Sequence, residues 1–304
     1  MVNGIINVYK EKGFTSHDVV AKLRGIVGQR KIGHTGTLDP DATGVLPVCL
    51  GKATKLCGLI TDETKTYETC LLLGRATDTQ DTSGTTLAEK EVTCTAEEVE
   101  ALVQGFLGKQ MQIPPMYSAL KKDGKKLYEL ARAGIVVERE ARPVVFYELQ
   151  ILKMELPRVW MRVTCSKGTY IRTLCHDIGA KLGCGGCMEE LVRTRTGSFE
   201  IGDAMTLAQI AEAVQAGEIA KLVIPIEKMF ADLPAGKARE AGDAILHNGN
   251  PIGADLLQET PAATPVGQYR IYDSKDAFIG IYIFDQKAQK YRLQTMFYDP
   301  SEKA

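Results

Sequence analysis

Twelve consecutive residues, Gly33-His34-Thr35-Gly36-Thr37-Leu38-Asp39-Pro40-Asp41-Ala42-Thr43-Gly44, hold the groups of this chain best suited to chemistry. Pro40 disfavours the helical region for the residue before it, so the Asp39 carboxylate sits on extended or turning backbone. The glycines open backbone conformations closed to other residues and let a ligand approach closely. The apolar run Val45-Leu46-Pro47-Val48-Cys49-Leu50-Gly51 follows directly and reads as a buried strand that anchors the loop. A carboxylate on an irregular loop braced by a core strand is how a site residue is presented. The competing reading is an Asx turn, with Asp39 bonding its own backbone.

Two other chemistries are argued against by spacing. Gly51-Lys52-Ala53 looks like the end of a phosphate-binding loop, but Gly44 and Gly51 enclose six residues rather than four, and Ala53 cannot ligate magnesium. Cys184-Gly185-Gly186-Cys187 is a C-x-x-C, yet no second one exists, and Cys175-His176 lie eight residues upstream without matching spacing. Neither a metal nor a nucleotide cofactor is expected.

The elements that must position Asp39 follow from periodicity. Met1 to Val8 read as a first strand, and Ser16 reads as the cap of a helix over 17–27 with Val19, Val20, Leu23 and Val27 on one stripe. A short helix is expected near 53–60, a strand at Thr66–Leu73, and a loop from Arg75 to Thr86. Thr95-Ala96-Glu97-Glu98 is a capping box opening a helix to about 105. Residues 108–146 form a long basic insertion without sustained apolar period, apart from a short helix at 125–133; so long an irregular segment inside a domain points to function. Strands near 143–153 and 158–166 follow, then a helix ending around Leu182 and another at 206–217. The break at Met229–Gly236 reads as a domain boundary. The short strands beyond it, at 269–272, 278–284 and 291–297, suggest a small β-barrel.

The chain has 304 residues, 44% hydrophobic and 25% charged, ordinary for a soluble globular protein of one or two domains. No apolar run reaches the length of a membrane span, and the N-terminus lacks the pattern of a signal peptide. The sparse cysteines suit a reducing cytoplasm. Net charge is only −1, but it is unevenly spread. Residues 1–60 and 109–146 each carry 8 Lys and Arg against 4 Asp and Glu, whereas 62–100 carry 3 against 10. Basic segments, one containing the Asp39 loop, could converge on one face for a polyanion.

The Asp39 loop resembles the catalytic motif of the TruB family of tRNA pseudouridine-55 synthases. Further motifs agree in order: Gly51-Lys52-Ala53-Thr54-Lys55, Tyr67, Pro115-Met116-Tyr117-Ser118-Ala119-Leu120-Lys121, Lys126-Leu127-Tyr128-Glu129-Leu130-Ala131-Arg132, Ser166-Lys167-Gly168-Thr169-Tyr170-Ile171-Arg172 and Leu182-Gly183-Cys184-Gly185-Gly186. The resemblance covers about 5–230. The tail, with His247-Asn248-Gly249-Asn250-Pro251-Ile252, is similar to the small PUA RNA-binding barrel.

The resemblance implies an α+β fold: a mixed-sheet catalytic domain over 1–232 with a basic RNA-gripping insertion at about 108–146, then a PUA-like β-barrel over 233–304. It implies isomerisation of the uridine at position 55 in the tRNA T loop, by base flipping, without cofactor or guide RNA, in a cytoplasmic monomer. Asp39 would be the catalytic carboxylate, as nucleophile or as base, and Arg172 would keep it charged. Tyr67 would stack on the flipped uracil and help in proton removal at C5, with Tyr170 and Leu191 lining its pocket and His34 filling the gap left in the RNA. Lys121 and Lys125 would meet T-arm phosphates, and Lys10, which matches a lysine of the family, would also bind the substrate. Glu11 stands where the family usually has proline, which puts the rigidity of that turn in question. Two other functions compete: a guide-RNA-dependent relative within a multi-protein particle, for which a gripping insertion would be unnecessary, and a non-catalytic tRNA-binding module, against which Asp39, Tyr67 and Arg172 together argue.

Overall fold

The computed structural model describes residues 1–259, 261 and 267–299. It divides into two compact units, one of residues 6–49 and 54–222, the other of 1–5, 50–53 and the chain from 223 onward.

In chain order the elements up to residue 73 are β1 (Gly4–Lys10), α1 (Ser16–Val27), β2 (Ile32–His34), β3 (Thr43–Leu50), α2 (Cys57–Thr61) and β4 (Lys65–Leu73). Next come β5 (Arg75–Thr77), β6 (Thr86–Glu89), α3 (Ala96–Gln104), β7 (Gly108–Gln112), β8 (Lys121–Lys122), β9 (Lys125–Lys126) and α4 (Leu127–Arg132). Then follow β10 (Arg142–Glu155), β11 (Arg158–Cys165), α5 (Ile171–Lys181), β12 (Gly186–Thr196), β13 (Phe199–Glu200) and α6 (Leu207–Gln215). Seven strands lie side by side in the order β1-β3-β12-β4-β11-β10-β7, with β2 added to β3 and β13 to β12. β12 runs parallel to β3 and antiparallel to β4, so the sheet is mixed and the fold is α+β, as expected.

Most of the expected elements form, with four corrections. The cap of α1 is Thr15, whose hydroxyl accepts from the Asp18 N–H while the Asp18 carboxylate accepts from the Thr15 N–H; Ser16 is buried instead. Residues 75–86 are not a plain loop, because β5 pairs with β6. The segment 108–146 is not irregular throughout: β7 and the start of β10 pair with each other at the edge of the main sheet. Within it Lys121 and Lys122 face Lys126 and Lys125 across Asp123-Gly124, both at positive φ, the geometry of a two-residue hairpin. Finally β12, at the centre of the sheet, has no counterpart in the sequence reading. Glu189, Glu190, Arg193 and Arg195 interrupt its apolar pattern, yet Leu191 and Arg193 are buried together on one face.

β3 is buried from Gly44 to Leu50, as its unbroken apolar run demands. Leu38 and Ala42, on either side of Asp39, belong to one hydrophobic core with Tyr67, Ile171 and Leu191. Burying both neighbours fixes the loop that carries the carboxylate.

The second unit contains β14 (Ala235–Lys237), α7 (Glu240–His247), β15 (Ile252–Gly253), β16 (Gln268–Tyr272), β17 (Phe278–Asp285) and β18 (Lys290–Met296). The sheet order is β14-β16-β17-β18-β15, around Leu246, Ile252, Ile271, Ile279 and Tyr282. This curled sheet has the PUA-like form, and the three expected strands are β16, β17 and β18. Residues 260, 262–266 and 300–304 of the expected barrel lie outside the described residues. Among the described residues no helix is long and apolar enough to cross a membrane.

Candidate active site

The loop between β2 and β3 is held from beneath by polar groups. Ser16 Oγ accepts the Leu38 N–H at 2.9 Å, and the N–H and hydroxyl of Thr35 both donate to the Pro47 carbonyl, at 3.2 and 3.0 Å. Lys10 Nζ donates to the carbonyls of Pro40 at 3.0 Å and Ala42 at 2.5 Å. Lys10 is fully buried, and burial pushes its ammonium down to about 8. Lys10, expected at the substrate, thus directs its ammonium to loop carbonyls in this structure. Glu11, standing where proline was expected, lends its own carbonyl to the same ammonium at 3.2 Å, so the turn is tied by a hydrogen bond instead of a ring.

The Asp39 carboxylate hydrogen-bonds Arg172 and makes no Asx turn. Arg172 Nε lies 3.0 Å from Oδ2, and Nη2 donates to Oδ1 at 3.2 Å, a two-pronged clamp. Arg172, at the start of α5, has a side chain only 6% exposed, against 37% for Asp39, so the carboxylate is the member of the pair open to a ligand. The remaining donors of the guanidinium are also engaged. Nη1 donates to the Thr79 carbonyl at 3.1 Å and lies 3.6 Å from Asp81 Oδ2, while Nη2 donates to the Tyr117 carbonyl at 2.7 Å. Burial raises the Asp39 pKa above the ordinary aspartate value; Arg172 pulls it back, Asp81 and Asp41 push it up, and Lys10 pulls it down.

The structure brings Tyr67 and Leu191 to the same core, while Tyr170 is half-buried. Tyr67 on β4 and Leu191 on β12 are buried, with Tyr67 opposite Arg193 and Leu191 opposite Thr69 in the strand register. Burial raises the Tyr67 pKa, and the neighbouring Arg193 opposes that. Tyr170, just before α5, has its backbone clasped by the Gln112 side chain: Gln112 Oε1 accepts the Tyr170 N–H at 2.8 Å and Nε2 donates to its carbonyl at 3.0 Å. His34 is half-buried with Nδ1 lacking a partner, and burial lowers its pKa, favouring the neutral ring. Lys121 and Lys125 are exposed on the β8–β9 hairpin, whereas Lys122 reaches the Glu138 carbonyl and Lys126 the Tyr128 hydroxyl. Cys184 and Cys187 are buried free thiols.

Sequence reading missed Thr79, Asp81 and Gln112. For the first two a signal existed: Asp78, Thr79, Asp81, Ser83 and Gly84 are a cluster of turn formers, and Asp81 accepts from the Ser83 N–H at 3.0 Å. Nothing local marks that turn as reaching Arg172, 93 residues away.

A buried arginine grips a half-open carboxylate, a group that chemically can serve as nucleophile or base, and Tyr67 is buried in the core that holds Leu38 and Ala42. The model of the TruB family pseudouridylate synthase N-terminal domain matches residues 24–171, and that of the tRNA pseudouridylate synthase B C-terminal domain matches 172–231. The chain belongs to the TruB family. The first TruB match contains Asp39, Tyr67 and Tyr170; the second begins at Arg172 and contains Leu191. The tRNA pseudouridine synthase B of Lachnoclostridium phytofermentans is 49% identical, over 97% of this chain and 100% of its own. That of Clostridium novyi is 43% identical, over 95% and 98%. Among solved structures, a Cbf5-Nop10-Gar1 complex superposes with a TM-score of 0.72 at 28% identity, over 98% of this TruB-family chain and 86% of the other. An H/ACA RNP bound to a substrate RNA containing 2'-deoxyuridine gives 0.71 at 26%, over 97% and 85%.

Proposed function

We propose that this protein is a stand-alone tRNA pseudouridine synthase, converting the uridine at position 55 of the T loop to pseudouridine. The observation that carries this reading is the Asp39–Arg172 clamp: an arginine closed to water holding, at 3.0 and 3.2 Å, a carboxylate that remains partly open. The reaction breaks the bond from ribose C1′ to uracil N1, turns the base, and joins C1′ to C5; the proton leaving C5 is replaced by one gained at N1. A base inside a folded loop is reached by flipping it out. Ionised Asp39 either attacks C1′ or C6, or takes a proton as a glycal forms; both routes need the charge that Arg172 favours. Tyr67 stacks on the uracil and helps remove the C5 proton, Tyr170 and Leu191 line the pocket, and His34 fills the gap in the RNA.

The insertion supplies the grip on the T arm. Four lysines face one another in pairs across the β8–β9 hairpin. Like charges placed opposite each other repel, and a polyanion relieves that cost. Lys121 and Lys125 therefore meet phosphates, which position the RNA without reading its sequence. We assign residues 1–232 to catalysis and 233–304 to further RNA contact, in a cytoplasmic monomer. Independence from a guide RNA is supported by 49% identity over essentially whole chains to a tRNA pseudouridine synthase B, against 26–28% to the proteins of the H/ACA RNP and Cbf5 complexes. The test is incubation of the purified chain with an unmodified tRNA transcript, without guide or partner protein, followed by pseudouridine mapping. A single new pseudouridine at position 55 is expected; none, or one that needs a guide, overturns the reading.

A further inference from the structure

Arg193 is the largest fully buried side chain among the described residues, 1% exposed. A guanidinium taken out of water is costly unless its donors and charge are matched. Here they are not. Its Nε donates to the Val45 carbonyl at 2.7 Å, Nη2 has no hydrogen-bond partner, and among the described residues no carboxylate pairs with it. The surrounding charges make its position worse: its charge is felt at Lys10, Lys65 and His34. A fold that keeps such a group has a use for it beyond packing.

Its place in the sheet indicates the use. Arg193 lies directly opposite Tyr67 across β12 and β4, so the two side chains share one face. On the other edge of β12 it lies opposite Gly44, where the loop carrying Asp39 enters β3. A Cβ on Gly36, in the same loop, would stand 3.8 Å from Nη1. Arg193 thus lies beside the strand of Tyr67, pairs with the residue that closes the Asp39 loop, bonds the Val45 carbonyl just after it, and reaches toward Gly36 within it.

We infer that Arg193 is a positioning residue for the isomerisation, fixing the Tyr67 oxygen relative to Asp39 and supplying the positive charge that balances the phenolate form in which Tyr67 can take a proton. This rests on the reading of Tyr67 as the residue that helps remove the C5 proton. The Tyr67 phenolate takes the proton from C5 and becomes a phenol, and that proton is passed on to uracil N1, which restores the phenolate; Arg193 forms and breaks no bond. Burial alone makes the phenol a poor participant, and Arg193 is the main group opposing that effect.

The test compares wild type, Arg193→Met and Arg193→Lys by three measurements: single-turnover pseudouridine formation at saturating tRNA, tRNA affinity, and thermal unfolding. Methionine keeps much of the volume and removes the unmatched charge, so Arg193→Met should unfold at a temperature no lower than wild type. Its single-turnover rate should nevertheless fall at least a hundredfold, with tRNA affinity changed less than about threefold. Arg193→Lys restores the charge and should recover at least tenfold of the lost rate. A residue that merely packs would give the opposite pattern, a Met variant that is less stable but reacts at the wild-type rate per folded molecule; that result overturns the inference. Equal losses in Met and Lys also overturn it. Should Arg193→Met not fold, Arg193→Gln takes its place under the same criteria. Inactive wild type on this tRNA would instead refute the proposed function itself, so the two failures are distinguishable.

Discussion

Arg172 engages all three nitrogens of its guanidinium: Nε and Nη2 on Asp39, Nη2 also on the Tyr117 carbonyl, and Nη1 on the Thr79 carbonyl, with Asp81 alongside. A planar fork so engaged cannot swing away, and the carboxylate it grips is held at a fixed angle. Asp39 was legible in the sequence because Pro40 and the flanking glycines mark its backbone. Its partner was named only through resemblance, since no local pattern ties residues 133 positions apart. Lys10 shows the limit of such transfer: position identifies the residue, but only packing reveals that its ammonium is turned inward. The electrostatics give a pH prediction. In the proposed mechanism only ionised Asp39 serves as nucleophile or base, and burial raises its pKa while Arg172 opposes the rise. Activity should therefore fall with acid at a pH above that of an exposed aspartate. In Arg172→Met, which loses the main group lowering that pKa, the acid limb should move to still higher pH. The check is the single-turnover rate against pH for both proteins; an unmoved limb would show that another group governs it.

At the scale of elements, the periodic pieces were legible and the composite ones were not. Capping boxes at Thr95 and Thr206 start α3 and α6 where the sequence indicates. β12 was illegible because polar residues at its edges serve tertiary contacts, among them the bond from Glu189 to Arg158 at 2.7 Å. The β8–β9 hairpin carried a short-range signal, Asp123-Gly124, masked by the four lysines around it. Replacing Lys121, Lys122, Lys125 and Lys126 with Ala should lower the slope of log affinity against log salt by about 0.7 to 0.9 per lost phosphate contact. Weakening should be similar across tRNA sequences. Affinity measured at several salt concentrations decides it, and parallel lines for the two proteins would mean that these lysines face solvent. The β3–β12 junction gives a structural prediction. Gly44 has φ near 103°, and a Cβ there would lie 2.2 Å from the Arg193 carbonyl oxygen. Gly44→Ala should destabilise the protein by about 3 to 5 kcal/mol, the range of the severest single changes. Urea unfolding measures this, and a loss below about 1 kcal/mol would show that the two strands separate easily.

For the whole molecule, alternating strands and the break near residue 230 made the PUA-like unit readable, and an apolar run made β3 readable. The order in which strands meet was not readable, because the parallel contact of β12 with β3 joins segments some 150 residues apart in sequence. That assembly buries cations, which shapes stability. Lys65 Nζ is buried and donates to the carbonyls of Thr61 and Glu63, and burial pushes its pKa down to about 8 from 10.5. Between those two values the unfolded chain binds the proton and the folded one releases it, so this group adds stability as pH rises through the window. Its contribution is complete above the unfolded value and is lost as pH falls through the folded one. The free-energy difference between wild type and Lys65→Met should therefore shift in favour of wild type from about pH 8 to 10.5. Urea unfolding across that range tests it, and a pH-independent difference would show that Lys65 titrates normally.

The most direct test of the central claim follows the hydrogen at C5. A tRNA transcript tritiated at uracil C5 releases tritium to water only when C1′ has been joined to that carbon. Under single-turnover conditions with saturating enzyme, wild type should release one equivalent from a transcript carrying uridine at position 55. It should release none from a transcript with cytidine there and labelled uridines elsewhere. Asp39→Asn, which keeps the shape and removes the charge, should bind the tRNA within about threefold of wild type and release tritium at least a thousandfold more slowly. Release from Asp39→Asn at a rate near wild type, with affinity unchanged, would contradict the assignment of the chemistry to the carboxylate that Arg172 holds.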